Sequence, residues 1–133
     1  MSTDDRFALR GKAAIVTGAG GGIGRAIATA FAQAGARVAC VDVQAEAAQQ
    51  AARLAGEGAL AIRCDVSSEQ ETRDAAERAV RAFGALHVLV NGAAMTDATA
   101  TVVDLDLAAW NRVFAVNVAG AFLMSRWAVP HLA

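Results

Sequence analysis

Short apolar runs alternate with longer helical ones along nearly the whole chain, and few folds accommodate that alternation. Lys12 to Thr17 (KAAIVT), Arg37 to Val43 (RVACVDV), Ala59 to Asp65 (ALAIRCD) and Leu86 to Asn91 (LHVLVN) have the unbroken apolar character of strands covered on both faces. Gly22 to Ala34 carries Ile23, Ile27, Phe31 and Ala34 at helical spacing and stops at Gly35. Ala45 to Leu54 is an Ala-rich helix closed by Gly56 and Gly58. A third helix opens on Ser68-Glu69-Gln70-Glu71, a capping box, carries Ala76, Ala79, Val80 and Phe83 on one face, and ends at Gly84. Asp106 can cap a last long helix running to Pro130. Such alternation implies an α/β fold, a doubly wound parallel sheet with helices on both faces. Right-handed crossovers give it the strand order 3-2-1-4. The chain stops about where a fifth strand is expected, leaving the fourth, with Val88, Leu89 and Val90, on an open edge.

At 133 residues the chain, 1–133, is a single domain. Hydrophobic residues make up 56% and charged ones 19%, which excludes a disordered tail. With 12 basic and 13 acidic groups, the net charge of −1 favours neither nucleic acid nor an anionic membrane. The mean hydropathy of +0.37 raises the question of a membrane helix. Its best candidate lies between Arg112 and Arg126, is interrupted by Asn117, and spans only roughly 20 Å, so a buried core helix is expected. The acidic start, Met1-Ser2-Thr3-Asp4-Asp5, is unlike a signal peptide, and the expected location is cytoplasmic. Cys40 and Cys64 form no metal or disulfide framework; free buried thiols are expected, although adjacent strands leave a disulfide open. His87 and His131 have no partner spacing, and no metal site is expected. Ser125 lacks the glycines of a nucleophile elbow. Trp110, Phe114, Phe122 and Trp127 on the last helix fit core or subunit packing better than ligand stacking.

The turn Thr17-Gly18-Ala19-Gly20-Gly21-Gly22-Ile23-Gly24 joins the first strand to the first helix. Glycine there frees backbone amides to approach a pyrophosphate, and the helix N-terminus adds about half a positive charge. The bland alternative is a tight turn without a ligand, but glycine at a helix start costs about 1 kcal/mol relative to Ala. Asp42 ends the second strand, 18 residues after Gly24, where a dinucleotide fold places a carboxylate on the adenosine ribose. Neither the turn nor the residue after Asp42 carries Arg or Lys, so NAD is expected over NADP. Asp65 can accept from an adenine amino group while the Val66 amide meets a ring nitrogen. A solvated strand-end Asp and a loop-starting Asp are the plain readings of these two positions.

Together these residues resemble the short-chain dehydrogenase/reductase family. Its Thr-Gly-x-x-x-Gly-Ile-Gly motif is matched in full by Thr17 to Gly24, making Thr17, Gly18, Gly21, Gly22, Ile23 and Gly24 cofactor-site residues by resemblance. Asp42, Asp65-Val66 and Asn117 match its second-strand acid, its Asp-Val and its helical Asn. The family's Asn-Asn-Ala-Gly appears as Asn91-Gly92-Ala93-Ala94, which retains Asn91 and Ala93 and loses one side-chain amide. The resemblance implies a Rossmann-type fold and hydride transfer between a nicotinamide cofactor and a small alcohol or carbonyl substrate. It also implies a homo-oligomer with the last helix at a subunit interface. The family's Ser, Tyr and Lys are not matched: the chain has no Tyr, and its one lysine is Lys12 in the first strand. Of the catalytic set only Asn117 remains, in a role that holds a relay water. The expectation is the dinucleotide-binding half of an NAD(P)-dependent short-chain oxidoreductase, inactive by itself; the alternative is a short non-catalytic dinucleotide-binding module. A methyltransferase-like domain fits the glycine spacing less well.

Overall fold

The structure, a computed structural model, describes residues 5–96 and 100–132. The acidic N-terminal segment singled out above therefore lies, apart from Asp5, outside the described residues. Strands β1 (Ala13–Thr17), β2 (Arg37–Asp42), β3 (Leu60–Arg63) and β4 (Val88–Val90) form one parallel sheet in the order β3-β2-β1-β4. Helices α1 (Gly22–Gln33), α2 (Ala45–Ala55), α3 (Glu69–Phe83), α4 (Leu107–Phe114) and α5 (Gly120–Ala128) complete the chain. The strands are shorter than the apolar runs that announce them, because the outer residues of each run leave the ladder to form loops.

Alternation along the strands sends neighbouring side chains into two different layers. Val16, Val38 and Cys40 pack with Ala28 of α1 and Ala51 of α2. Ile15, Val41 and Ile62 pack with Ala75, Ala79 and Phe83 of α3 and with Met124 and Ala128 of α5. Alanine fills most of the helix side of both layers and lets the helices approach the sheet closely. The branched strand residues supply the bulk of the burial, about 1.5–3 kcal/mol each. The same alternation separates the two cysteines: Cys40 lies in one layer and Cys64 in the other, both buried and free.

Two local expectations are corrected. At α3, Ser68 Oγ accepts from the Glu71 amide at 3.2 Å, as a cap should. Glu71 does not return to the Ser68 amide. Its carboxylate accepts from the Asp65 amide at 3.2 Å and from the Arg63 guanidinium, a stronger charged partner. His87, left without a role above, closes the start of the sheet. Its amide donates to the Ala13 carbonyl at 2.9 Å, and its Nδ1 accepts from the Ala13 amide at 3.0 Å. Both backbone groups of a fully buried residue are thereby satisfied.

The last helix has the expected extent but not the expected register. It runs from Leu107 to His131 as α4, a π-helical stretch over Ala115–Ala119, α5 and a 3-10 turn. It is 25 residues long and contains an 18-residue window of mean hydropathy 1.3, so by length and composition alone it could cross a membrane, as a core helix also can. Here it lies on α3 and the sheet through one face, with Met124 and Ala128 fully buried. The core-helix expectation holds for that face only. Trp110, Phe114 and Phe122 are 49%, 46% and 59% exposed, so they do not belong to the core. Trp110 and Phe114 stack on each other with centroids 4.7 Å apart. Trp127 is half-buried beside the guanidinia of Arg73 and Arg126, at 5.5 and 5.0 Å from its ring centre. β4 is the edge strand, as expected, but a parallel bridge between Leu86 and Leu132 covers its start.

Replacing His87 with Ala strands the Ala13 amide and should cost about 1–3 kcal/mol in urea unfolding, with His87→Asn recovering part because its side-chain oxygen can accept in place of Nδ1. Burial pushes the Cys40 thiol up to about 11 and the Cys64 thiol up to about 12, the latter aided by the Glu71 charge. Alkylation at pH 8 should therefore be about 10²-fold slower in the folded chain than in urea, and oxidant should form no intramolecular disulfide.

Candidate functional site

Parallel pairing brings the C-terminal ends of all four strands to one edge of the sheet, where a cleft of about 400 Å³ opens. The strand order reverses between β1 and β4, and that is where an open α/β sheet leaves room for a ligand. Of the residues singled out from the sequence, Gly18, Asp42, Asp65, Val66 and Ala93 line this cleft.

The glycine turn forms its floor by contact of bare backbone. Gly18 has φ +66°, and a Cβ on it would lie 2.6 Å from the Gly92 carbonyl oxygen. A Cβ on Gly24 would lie 2.1 Å from the Gly18 carbonyl oxygen, so α1 and the turn touch without side chains. Gly21 is the N-cap of α1 and brings no side chain to cap it. Gly21, Gly22 and Ile23 lie exposed at that helix end, where first-turn amides have no intrahelical partner.

Thr17 acts from behind the wall. Its hydroxyl donates to the Val90 carbonyl at 3.4 Å and accepts from the Gly92 and Ala93 amides at 3.0 and 3.1 Å. One donor and two acceptor positions are thereby filled, so this buried group positions the loop after β4 rather than meeting a ligand. Gly92 stands where the motif has a second Asn; a Cβ there would lie 2.5 Å from the Thr17 carbonyl oxygen. Asn91 is exposed and donates through Nδ2 to Ser125 Oγ at 3.3 Å.

Two carboxylates face the cleft. Asp42 Oδ2 accepts from the Gly20 amide at 2.9 Å and Oδ1 from the Gln44 amide at 3.0 Å. Asp65 Oδ1 accepts from the Ser67 hydroxyl at 2.6 Å and the Ser67 amide at 2.9 Å, and these bonds hold its carboxyl below the usual carboxylate range. Val66 is buried against Gly120, where a Cβ would lie 2.6 Å from Val66 Cγ2.

Arg112 and Val116 add a wall that sequence reasoning missed. Their i, i+4 spacing beside Asn117 was the available signal. Asn117 lies outside the cleft lining. Its Oδ1 accepts from the Met95 amide and its Nδ2 donates to the Met95 carbonyl, both at 2.8 Å, which clamps the loop after β4 to the π-helical stretch. Unpaired helix-end amides, two anionic carboxylates and an apolar slot suit a ligand that combines an anionic group, hydroxyls and a flat ring. Among the described residues no cluster of His, Cys, Asp and Glu is arranged for a metal ion.

Comparison with known proteins agrees with this geometry. Residues 12–133 match the short chain dehydrogenase family. The chain is 42% identical over 132 residues to the short chain dehydrogenase/reductase dpmpG of Macrophomina phaseolina, covering 96% of this chain and 75% of that one. It is 42% identical over 127 residues to D-threitol dehydrogenase of Mycolicibacterium smegmatis, covering 93% of this chain and 48% of that one. The 3-ketoacyl-(acyl-carrier-protein) reductase of Brucella melitensis, solved with NADH, superimposes with a TM-score of 0.91 at 37% identity, covering 93% of this chain and 51% of that one. The chain thus spans about half the length of most relatives it matches. With its sheet order, its glycine turn and this match over residues 12–133, the chain belongs to the short-chain dehydrogenase family.

Proposed function

We propose that the cleft holds the adenosine half of a nicotinamide dinucleotide, NAD in preference to NADP, for hydride transfer between the cofactor and a small alcohol or carbonyl. The observation that carries this reading is the Asp42 carboxylate at the end of β2, held toward the cleft by two backbone amides. A ribose diol donates to a carboxylate, whereas a 2′-phosphate is repelled by it. The cradle fits such a cofactor: the uncapped N-terminus of α1 suits the pyrophosphate, and Gly18 lines the cleft as bare backbone because a Cβ there would meet the Gly92 carbonyl. Asp65, kept anionic by Ser67, accepts from the adenine amino group, and the Val66 amide faces the ring. Ala93 and Asn91 border the nicotinamide side. When bound, the nicotinamide supplies the hydride-carrying carbon.

Asn117 is a positioning residue in this reading, because both ends of its amide are engaged with Met95. These 133 residues contain no Tyr and so supply no phenol for proton transfer. The exposed apolar face of the last helix, with Trp110, Phe114 and Phe122, is the contact for a second copy of the chain.

NADH should bind more tightly than NADPH in fluorescence titration, and Asp42→Ala should weaken NADH about tenfold or more while sparing NADPH. A preference for NADPH overturns the assignment of Asp42. In sedimentation, the chain should run as a dimer or larger, and Phe114→Glu with Phe122→Glu should shift it to monomer.

A further inference from the structure

Gly20 is a residue of the turn whose small size its own backbone conformation does not explain. Among the described glycines with positive φ it is absent, so its conformation is open to any residue. What forbids a side chain is its surroundings. A Cβ on Gly20 would lie 2.5 Å from Asp42 Oδ2, 2.7 Å from Asp42 Cγ and 2.6 Å from Ala47 Cβ. The peptide cannot easily retreat. Arg25 Nη2 of α1 donates to the Gly20 carbonyl at 2.6 Å and also to Gln50 Oε1 of α2 at 3.3 Å, tying the turn to both helices. Ala47 belongs to the body of α2, so the side chain free to move is that of Asp42.

We propose that Gly20 is a specificity-determining positioning residue: its missing side chain leaves the space that Asp42 occupies, and its amide fixes the carboxylate in the orientation that reads the ribose. The inference rests on the cofactor reading above. Any residue larger than glycine at position 20 drives the carboxylate out, breaks its bond to the Gly20 amide, and removes the group that distinguishes a diol from a 2′-phosphate. Discrimination therefore depends on Gly20 as much as on Asp42, although Gly20 contributes no polar side chain.

The test is a titration of Gly20→Ala and Gly20→Ser with NADH and with NADPH, using nucleotide fluorescence. The ratio of the two dissociation constants should fall toward unity by about tenfold. In the ligand-free protein the amide resonance of Gln44, which donates to the other carboxylate oxygen, should shift. A wild-type chain that favours NADH, with the ratio unchanged in Gly20→Ala, overturns the inference and leaves the cofactor reading standing. A wild-type chain that binds neither nucleotide overturns both. If Gly20→Ala does not fold, it is compared with and without Asp42→Gly in a background that also carries Ala47→Gly, which removes the second clash. Recovery of folding when the Asp42 side chain is removed supports the steric coupling, and equal damage with and without Asp42 overturns it.

Discussion

Backbone packed directly on backbone at the end of β1 is the contact on which the rest of the site depends. Gly18, Gly24 and Gly92 meet with no side chain between them, and the buried Thr17 hydroxyl ties the loop after β4 to the same point. No side chain can substitute in such a contact, because the gaps are those of a Cβ or less. It brings the N-terminus of α1 against the ends of β1 and β4 and so creates an electropositive floor at the place where the strand order reverses. The carboxylates then matter by position. Asp42 and Asp65 end neighbouring segments of the sheet, and each has its oxygens oriented by nearby amides or a hydroxyl.

Much of this was legible in the sequence because it follows from periodicity and from residues that permit only one backbone. Unbroken apolar runs separated by helical ones lead to the order β3-β2-β1-β4, and the glycines mark the close approach. Asp42 and Asp65 were legible because strand ends are fixed by the same pattern. The contacts that escaped have no spacing rule. An imidazole that accepts from the backbone 74 residues earlier, as His87 does with Ala13, leaves no trace in local sequence. Glu71 sits in the capping position, yet it turns to Arg63 and Asp65, since a charged partner in three dimensions outweighs a neutral one next in sequence. The aromatic residues of the last helix look like core by composition, and only the packing of α5 on α3 shows which face turns away.

The cleft also divides the labour of the fold. Residues that line it are mostly small or apolar, and the polar groups that shape the loop beside it are committed to the protein before any ligand arrives. Thr17 and Asn117 have every side-chain polar group engaged in holding the loop after β4. Recognition therefore rests on pre-set geometry, which lowers the ordering cost of binding.

The π-helical stretch at Ala115–Ala119 has a geometric consequence for the helix that carries it. An α-helix turns about 100° per residue, so one residue held in a wider turn rotates everything beyond it relative to what precedes it. That offset leaves Arg112 and Val116 along the cleft and Met124 and Ala128 in the core beyond the stretch, with Val116 also packed against that core. A straight helix of the same sequence would have to give up one of the two alignments. Loss of a single residue from the stretch would restore the ordinary pitch and leave Met124 and Ala128 in the core, whereas the same loss within α5 would turn Ala128 away from it. The wide turn works as a phase adjuster: it takes up one residue that a regular helix would have spent on rotating everything beyond it.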